Sequence, residues 1–294
     1  MASELSVLQN FRDSHLTKSP FPYIVIENAL PARIYEELAT TFPSESFIFD
    51  NHRGKQEGEA YTPNTRYDLP ASYVRSNPNL DLGLWREFSD YHTSQEFLDE
   101  FLSKLGDVIQ KTHPHIIDKM QQKSPLGKPR AGVRFWKDNK EDSEIALDCQ
   151  IAINSPPTEP LTSVRTAHLD NPVELYAGLL YLRDPEDASQ GGDLEIYSWK
   201  TPERKRIGPK RIISSDDVIV KDRVLYGANK LALFINSIDS IHGVTNREVS
   251  DKPRRLANII GEVYPTTQRV FADRRYREDR GILGRLKSKF FAAT

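Results

Sequence analysis

Along the first third of the chain the apolar residues fall at helical spacing. Ile34, Leu38 and Phe42 succeed one another at intervals of four behind Pro31, a residue suited to the first turn of a helix. A second stripe runs through Phe97, Phe101, Leu105 and Val108, and Thr93 with Glu96 has capping-box spacing ahead of it. Both stripes predict helices that turn one face inward, and their residues read as core packing rather than as a ligand box. Between them, residues 51–65 are polar and turn-rich.

From Gly132 the period changes. Short runs rich in β-branched and aromatic residues alternate with Pro, Gly, Asn and Asp, predicting strands over 133–136, 145–154, 163–168, 175–182, 193–199, 211–213, 217–220, 231–236, 242–245 and 255–263. So many short strands at close spacing point to a sandwich or barrel, with a double-sheet jelly roll (a double-stranded β-helix) as the natural arrangement. The expected class is α+β. Residues 1–131 form a mainly helical support, 132–264 the jelly-roll core, and 265–294 a basic tail read as a helix.

Composition narrows the partners. Of 294 residues, 38% are apolar and 28% charged, which describes a folded chain able to bury a core. The formal net charge of −2 gives no reason to expect nucleic acid as a partner. Cys149 is the only cysteine, so an intrachain disulfide and a thiolate metal cluster are excluded. The opening MASELSVLQNFRDSH is too polar for a signal peptide, and no apolar run approaches bilayer length, so a cytoplasmic protein without stable membrane insertion is expected.

The sharpest chemical feature is His168-Leu169-Asp170. Residues two apart on a strand point to one face, so an imidazole and a carboxylate can bind one cation from a strand end. His242, followed by Gly243-Val244, is the candidate third ligand. Two histidines and a carboxylate on one face of an octahedral Fe(II) leave positions for a cosubstrate and O2. Arg254 and Arg255 lie on the last predicted strand, where a buried guanidinium needs an anion. Neighbouring strand residues face opposite ways. If Arg255 points inward, Ala257 faces in with it; if Arg254 does, Asn258 follows. Arg255 is the preferred choice, with Arg254 left open.

The order His168-x-Asp170, Leu179-Leu-Tyr181-Leu182, Gly191-Gly-Asp-Leu-Glu-Ile-Tyr197, His242-Gly-Val and a late arginine resembles the 2-oxoglutarate oxygenases of prolyl-hydroxylase type. The lead-in Pro20-Phe-Pro-Tyr-Ile-Val-Ile-Glu27 is similar to that of many bacterial members. The resemblance covers residues 133–264 and implies an Fe(II)-dependent dioxygenase whose metal is held by His168, Asp170 and His242. It also implies decarboxylation of 2-oxoglutarate to succinate coupled to hydroxylation, with Tyr181 helping to bind the cosubstrate. One departure is a longer turn, residues 246–253, between the last histidine and the arginine.

The expected substrate is a small molecule or a glycan-like metabolite. Competing readings are a prolyl or peptidyl hydroxylase, a non-catalytic jelly-roll binding module, and a Zn(II) hydrolase using the same ligands. Arg165, Gln150 and Asn154 are placed near the site in sequence but read equally well as solvated residues. His113 and His115 read as capping or surface residues at a helix end.

Overall fold

The computed structural model describes residues 3–116, 118, 128–135, 143–159, 163, 165–263 and 269–272. Its strands are β1 (Leu16–Thr17), β2 (Tyr23–Glu27), β3 (Arg66–Leu69), β4 (Ala131–Val133), β5 (Ile145–Asn154), β6 (Glu174–Leu182), β7 (Leu194–Trp199), β8 (Val218–Val224), β9 (Ala228–Ile235), β10 (His242–Val244) and β11 (Arg254–Val263). Five α-helices are described: α1 (Ala32–Thr40), α2 (Glu45–Asn51), α3 (Ala71–Ser76), α4 (Leu84–His92) and α5 (Gln95–Thr112).

Eight strands make one sheet in the order β1-β2-β9-β6-β11-β5-β3, with β4 parallel beside the first residues of β5. β10, β7 and β8 make a second, smaller antiparallel sheet. The long strands β5, β6 and β11 are covered on both faces, which explains their nearly continuous apolar runs. Alternation assigns the faces. Leu147, Cys149, Ile151 and Ile153 of β5 join Ala257 and Ile259 of β11 in the core shared with the helices. Asp148, Gln150, Ala152 and Asn154 turn the other way: Gln150 and Asn154 line an interior cavity, Ala152 packs with Tyr181, Tyr226 and Leu256, and Asp148 meets Arg134. Leu194 and Ile196 of β7 close that side against Ala177, Ala232 and Phe234.

The structure therefore shows a mixed α+β chain, but the first third is not helical throughout. Tyr23-Ile-Val-Ile-Glu27, a β-branched apolar run, pairs with β9, and Arg66-Tyr-Asp-Leu69, which alternates at the period of a half-buried strand, pairs with β5. The cap of α5 is Ser94 rather than Thr93: Ser94 Oγ accepts the Phe97 N–H, while the Thr93 hydroxyl donates back to the Ser89 carbonyl. Expected strands at 163–168 and 211–213 shrink to isolated bridges, His168 with Ile212 and His168 with His242. The strand expected at 133–136 ends at Val133, since Phe135 sits at φ 64°, which extended backbone excludes. Trp136 and, apart from residues 269–272, the tail read as a helix lie outside the described residues. No helix among those described is long and apolar enough to cross a membrane.

His113 is the C-cap of α5 and is buried, and its Nε2–H donates to the Asn236 carbonyl at 2.7 Å. It is a structural link between helix and sheet, whereas His115 is exposed.

His92 is fully buried at the end of α4. Its Nδ1–H donates to the Phe88 carbonyl at 2.8 Å and its Nε2 accepts the Val7 N–H at 3.3 Å. Only the neutral ring can do both, and burial pushes the pKa down from 6.5 to about 3. The unfolded chain therefore binds one proton more than the native one between these values. Stability contributed by neutral His92 is present above pH 6.5 and is lost as pH falls toward 3, by up to about 1.4 kcal/mol per pH unit. Urea unfolding across that window should show a shallower pH dependence in His92→Phe than in the wild type. Equal slopes would mean that His92 is not the group responsible.

Candidate metal centre

Two ligand-bearing segments meet through reciprocal backbone bonds: the His168 N–H donates to the His242 carbonyl at 2.9 Å, and the His242 N–H returns to His168 at 3.1 Å. The same pairing extends to the Val244 N–H, which donates to the Arg165 carbonyl. Asn236 fastens the flanks. Its side-chain amide donates to the carbonyls of Asn171 and Glu174, just beyond Asp170, and its Oδ1 accepts the Ser240 hydroxyl just ahead of His242. The imidazoles consequently lie with ring centroids 4.3 Å apart, His242 packing also against the Phe234 ring.

The orientation of the rings is informative. His168 Nδ1 lies 2.7 Å from its Thr166 acceptor, and His242 Nδ1 lies 2.9 Å from Ser240 O. A carbonyl oxygen can only accept, so each Nδ1 carries the proton and each Nε2 turns a lone pair toward Asp170. The Nε2 atoms stand 3.6 and 3.5 Å from the two carboxylate oxygens, and all ligand atoms fall within 4.8 Å of one another. Burial, and then the adjacent His242, push the His168 pKa down to about 3; burial likewise lowers that of His242. Burial works the other way on Asp170, and with both imidazoles neutral it is the Arg165 guanidinium that favours the carboxylate. Two lone pairs and a carboxylate thus converge with no proton between them, an arrangement that a cation satisfies.

These groups line a cavity of about 280 Å³ whose floor is the inner face of β5, β6 and β11. Of the two candidate arginines, Arg254 faces it. Its Nε–H donates to the Gly192 carbonyl at 2.7 Å, its Nη1 to Asn154 Oδ1 at 3.2 Å, and its guanidinium carbon lies 4.7 Å from the centre of the Tyr181 ring. Arg254 Nη2 and the Tyr181 hydroxyl are both buried, and apart from the contact between Arg254 and Tyr181 themselves neither finds a hydrogen-bond partner. The preference for Arg255 is thereby corrected: its side chain leaves by the opposite face, pairs with Asp184 at 2.6 Å and lies over Phe42. The alternative attached to Arg254 holds, and Asn258 lines the cavity with it. Gln150, Asn154 and Arg165 line it too. The longer turn is anchored by buried Arg247, which pairs with Asp187 at 2.8 Å and Ser189 at 3.0 Å. Gly191 is required beneath that turn, since at its φ of 83° a Cβ would stand 1.9 Å from the Asn246 carbonyl oxygen.

Several lining residues were not singled out in the sequence. Arg66 and Asp68 alternate with the buried Tyr67 and Leu69, a period-two signal in a segment too short to stand out. Glu174 gave no signal. A bulge opposite Gly261–Glu262 turns it onto the cavity face, where strict alternation from Ala177 would have put it on the other. There it joins Asp148 and Glu262 around buried Arg134, at 3.5, 3.5 and 2.6 Å. Burial and the Asp170 charge push the Glu174 pKa up to about 8. Arg134→Met would leave these carboxyls without their cation and should cost about 3–5 kcal/mol in urea unfolding. Adding Glu262→Gln should restore part of it. A loss below about 1 kcal/mol would show that the cluster tolerates the missing charge.

No protein-family model and no curated protein sequence matches the chain. Solved structures similar to it include prolyl 4-hydroxylase from Phytophthora capsici, with 15% identity, 90% of this chain and 68% of that one covered, and a TM-score of 0.40. A prolyl hydroxylase from Trichoplax adhaerens, in complex with a hypoxia inducible factor peptide fragment, is 15% identical over 82% of this chain and 83% of that one, TM-score 0.37. The epimerase SnoN, in complex with Fe3+, alpha-ketoglutarate and nogalamycin RO, is 12% identical over 82% and 78%, TM-score 0.38. Likeness at these scores is weak, and the chemistry rests on the residues themselves.

Proposed function

We propose that this chain is an Fe(II)- and 2-oxoglutarate-dependent oxygenase with a jelly-roll core, acting on a small polar molecule. The observation that carries the reading is the convergence of His168 Nε2, His242 Nε2 and the Asp170 carboxylate with both Nδ1 protons already committed to backbone carbonyls. Two imidazoles and one carboxylate suit Fe(II), and a facial set of three leaves positions for other ligands. A bound iron would supply oxygen activation coupled to decarboxylation of 2-oxoglutarate.

The rest falls to the protein. Arg254 Nη2 and the Tyr181 hydroxyl are orphaned donors on one face, and the far carboxylate of 2-oxoglutarate would satisfy both. The Gly192 carbonyl and Asn154 hold that guanidinium in place before any ligand arrives. The wall formed by Ala177, Leu179, Leu194 and Ile260 supports exclusion of water from the reacting centre. The polar remainder of the lining, including Gln150 and Asn258, favours a small hydrophilic substrate over an apolar one.

Anaerobic titration of the Fe(II)-loaded protein with 2-oxoglutarate should give a visible charge-transfer band, absent from His168→Ala and Asp170→Ala. Arg254→Met should keep its iron while weakening 2-oxoglutarate roughly tenfold or more, the scale of a lost charge-assisted bond. Arg255→Met, with its partner outside the cavity, should not. Iron at background and no band in the wild type would defeat the oxygenase reading in favour of a binding module. Tight Zn(II) without any 2-oxoglutarate binding would favour a hydrolase.

A further inference from the structure

We propose that the substrate carries an oxyanion, a carboxylate or a phosphate, received by Arg66 and Arg165 with Arg53 at the cavity mouth. This deepens the oxygenase reading and rests on it for the word substrate, though not for the anion site itself.

The charges lining the cavity do not balance. Five arginines face three carboxylates, those of Asp68, Asp170 and Glu174. Arg134 is taken up by its own cluster of carboxyls, Glu174 among them. Arg254 is held by Gly192 and Asn154 and reserved for the cosubstrate. That leaves Arg53, Arg66 and Arg165 with Asp68 and Asp170. Arg165 Nη1 donates to Asp170 Oδ1 at 3.4 Å, the oxygen that also faces His168 Nε2, so a metal held by Asp170 would share that charge and weaken its hold on Arg165. Asp68 pairs with Arg66 Nε only at 3.8 Å, too long for a hydrogen bond, and Arg66 Nη2 donates to neutral amides, those of Gln150 and, with its amide in the satisfied orientation, Asn258. Arg53 has no carboxylate within pairing distance among the described residues; its guanidinium lies over the Phe135 ring at 4.5 Å.

Metal and cosubstrate do not correct the imbalance, because a divalent cation adds the two charges that a dicarboxylate removes. Arg66 feels neighbours of both signs: burial lowers its pKa, Asp68 and Asp170 oppose this, and Arg254 and Arg165 add to the lowering by repulsion. With 31% and 45% of their side chains still accessible and only long pairings to Asp68 and Asp170, the planar forks of Arg66 and Arg165 are open to a bidentate oxyanion. The position is apt as well, since Arg165 reaches Asp170 itself and would fix a bound molecule beside the metal. Arg53 also lines a neighbouring cavity of about 700 Å³ with Phe135 and Tyr73, so its guanidinium is shared between the two.

The test is calorimetric titration of the anaerobic protein, loaded with Fe(II) and 2-oxoglutarate, with inorganic phosphate in one arm and acetate in the other. One anion should bind saturably per chain, more weakly at higher salt, without bleaching the charge-transfer band. The tighter arm identifies the substrate group as phosphoryl or carboxyl. Arg66→Gln and Arg165→Gln should each weaken binding by about tenfold or more, while Arg33→Gln, on the exposed face of α1, should not. Arg66→Lys, which keeps charge but loses the fork, should fall between, and the iron content of every variant reports whether the fold survives. No saturable binding of either anion, equal binding by wild type and both glutamine variants, or loss of the band as the anion binds would each overturn the proposal. A protein that binds the anion through Arg66 yet never shows a band would fail the oxygenase reading alone.

Discussion

Everything at the site depends on two backbone hydrogen bonds, the reciprocal pair between His168 and His242. They fix segments far apart in sequence at the spacing of antiparallel neighbours, which places side chains on the same face within a few ångströms. From that one pairing the rest is forced. Each ring is locked by a carbonyl two residues back in its own chain, so neither can rotate its lone pair away, and Asp170, two residues beyond His168, closes the triangle. Asn236 then resists the slip that would break the pairing, because its one amide spans both flanks. The cost of holding these polar groups dry is met in advance by the sheet, not by a ligand.

Beneath the candidate metal centre lies a second charged system. Arg134 neutralises carboxyls from β5, β6 and β11, and the bulge in β6 is what allows Glu174 to join. Removing water from a cavity strengthens every remaining charge in it, so a cation placed among these strands must be surrounded before it can be tolerated. Arg134 is so surrounded; Arg66 and Arg165 are not. The same cavity thus contains one guanidinium surrounded by three carboxyls and two that are partly exposed and held by one long pairing each.

The sequence was most legible where one periodicity extended over many residues. β5 was read end to end and α5 by its apolar stripe, because ten and eighteen residues average out local exceptions. The metal triad was legible for a different reason, since His168-x-Asp170 and His242-Gly-Val are local patterns whose spacing carries the chemistry. Short segments failed. Arg66–Leu69 pairs for only four residues, and its identity as a strand depends on β5 being beside it. The segment expected as a strand at 211–213 makes one bridge at Ile212, because Arg211 before it sits at φ 59° at the end of a 3-10 turn, a backbone conformation that composition did not signal. The cap moved from Thr93 to Ser94 for a similar reason: both can cap, and Thr93 was already engaged by the preceding turn.

The choice between Arg254 and Arg255 shows where local reasoning stops. Alternation required that one point inward and could not say which, because both neighbours two positions on, Leu256 and Ala257, are apolar. What decides it is register. Arg254 pairs with Asn154 and Arg255 with Ile153, and the face of β5 that carries Asn154, Gln150 and Asp148 is the polar one. An arginine in register with Ile153 would enter the apolar core unless it escaped at the strand end, which Arg255 does by reaching Asp184. The polar face of β5 therefore selects the arginine, and a one-residue slip of β11 would exchange the two. The buried Arg247 and the Gly191–Gly192 turn, packed against the segment that leads into β11, oppose that slip. The longer turn before β11 is thus part of what aims Arg254, rather than an insertion that loosens it.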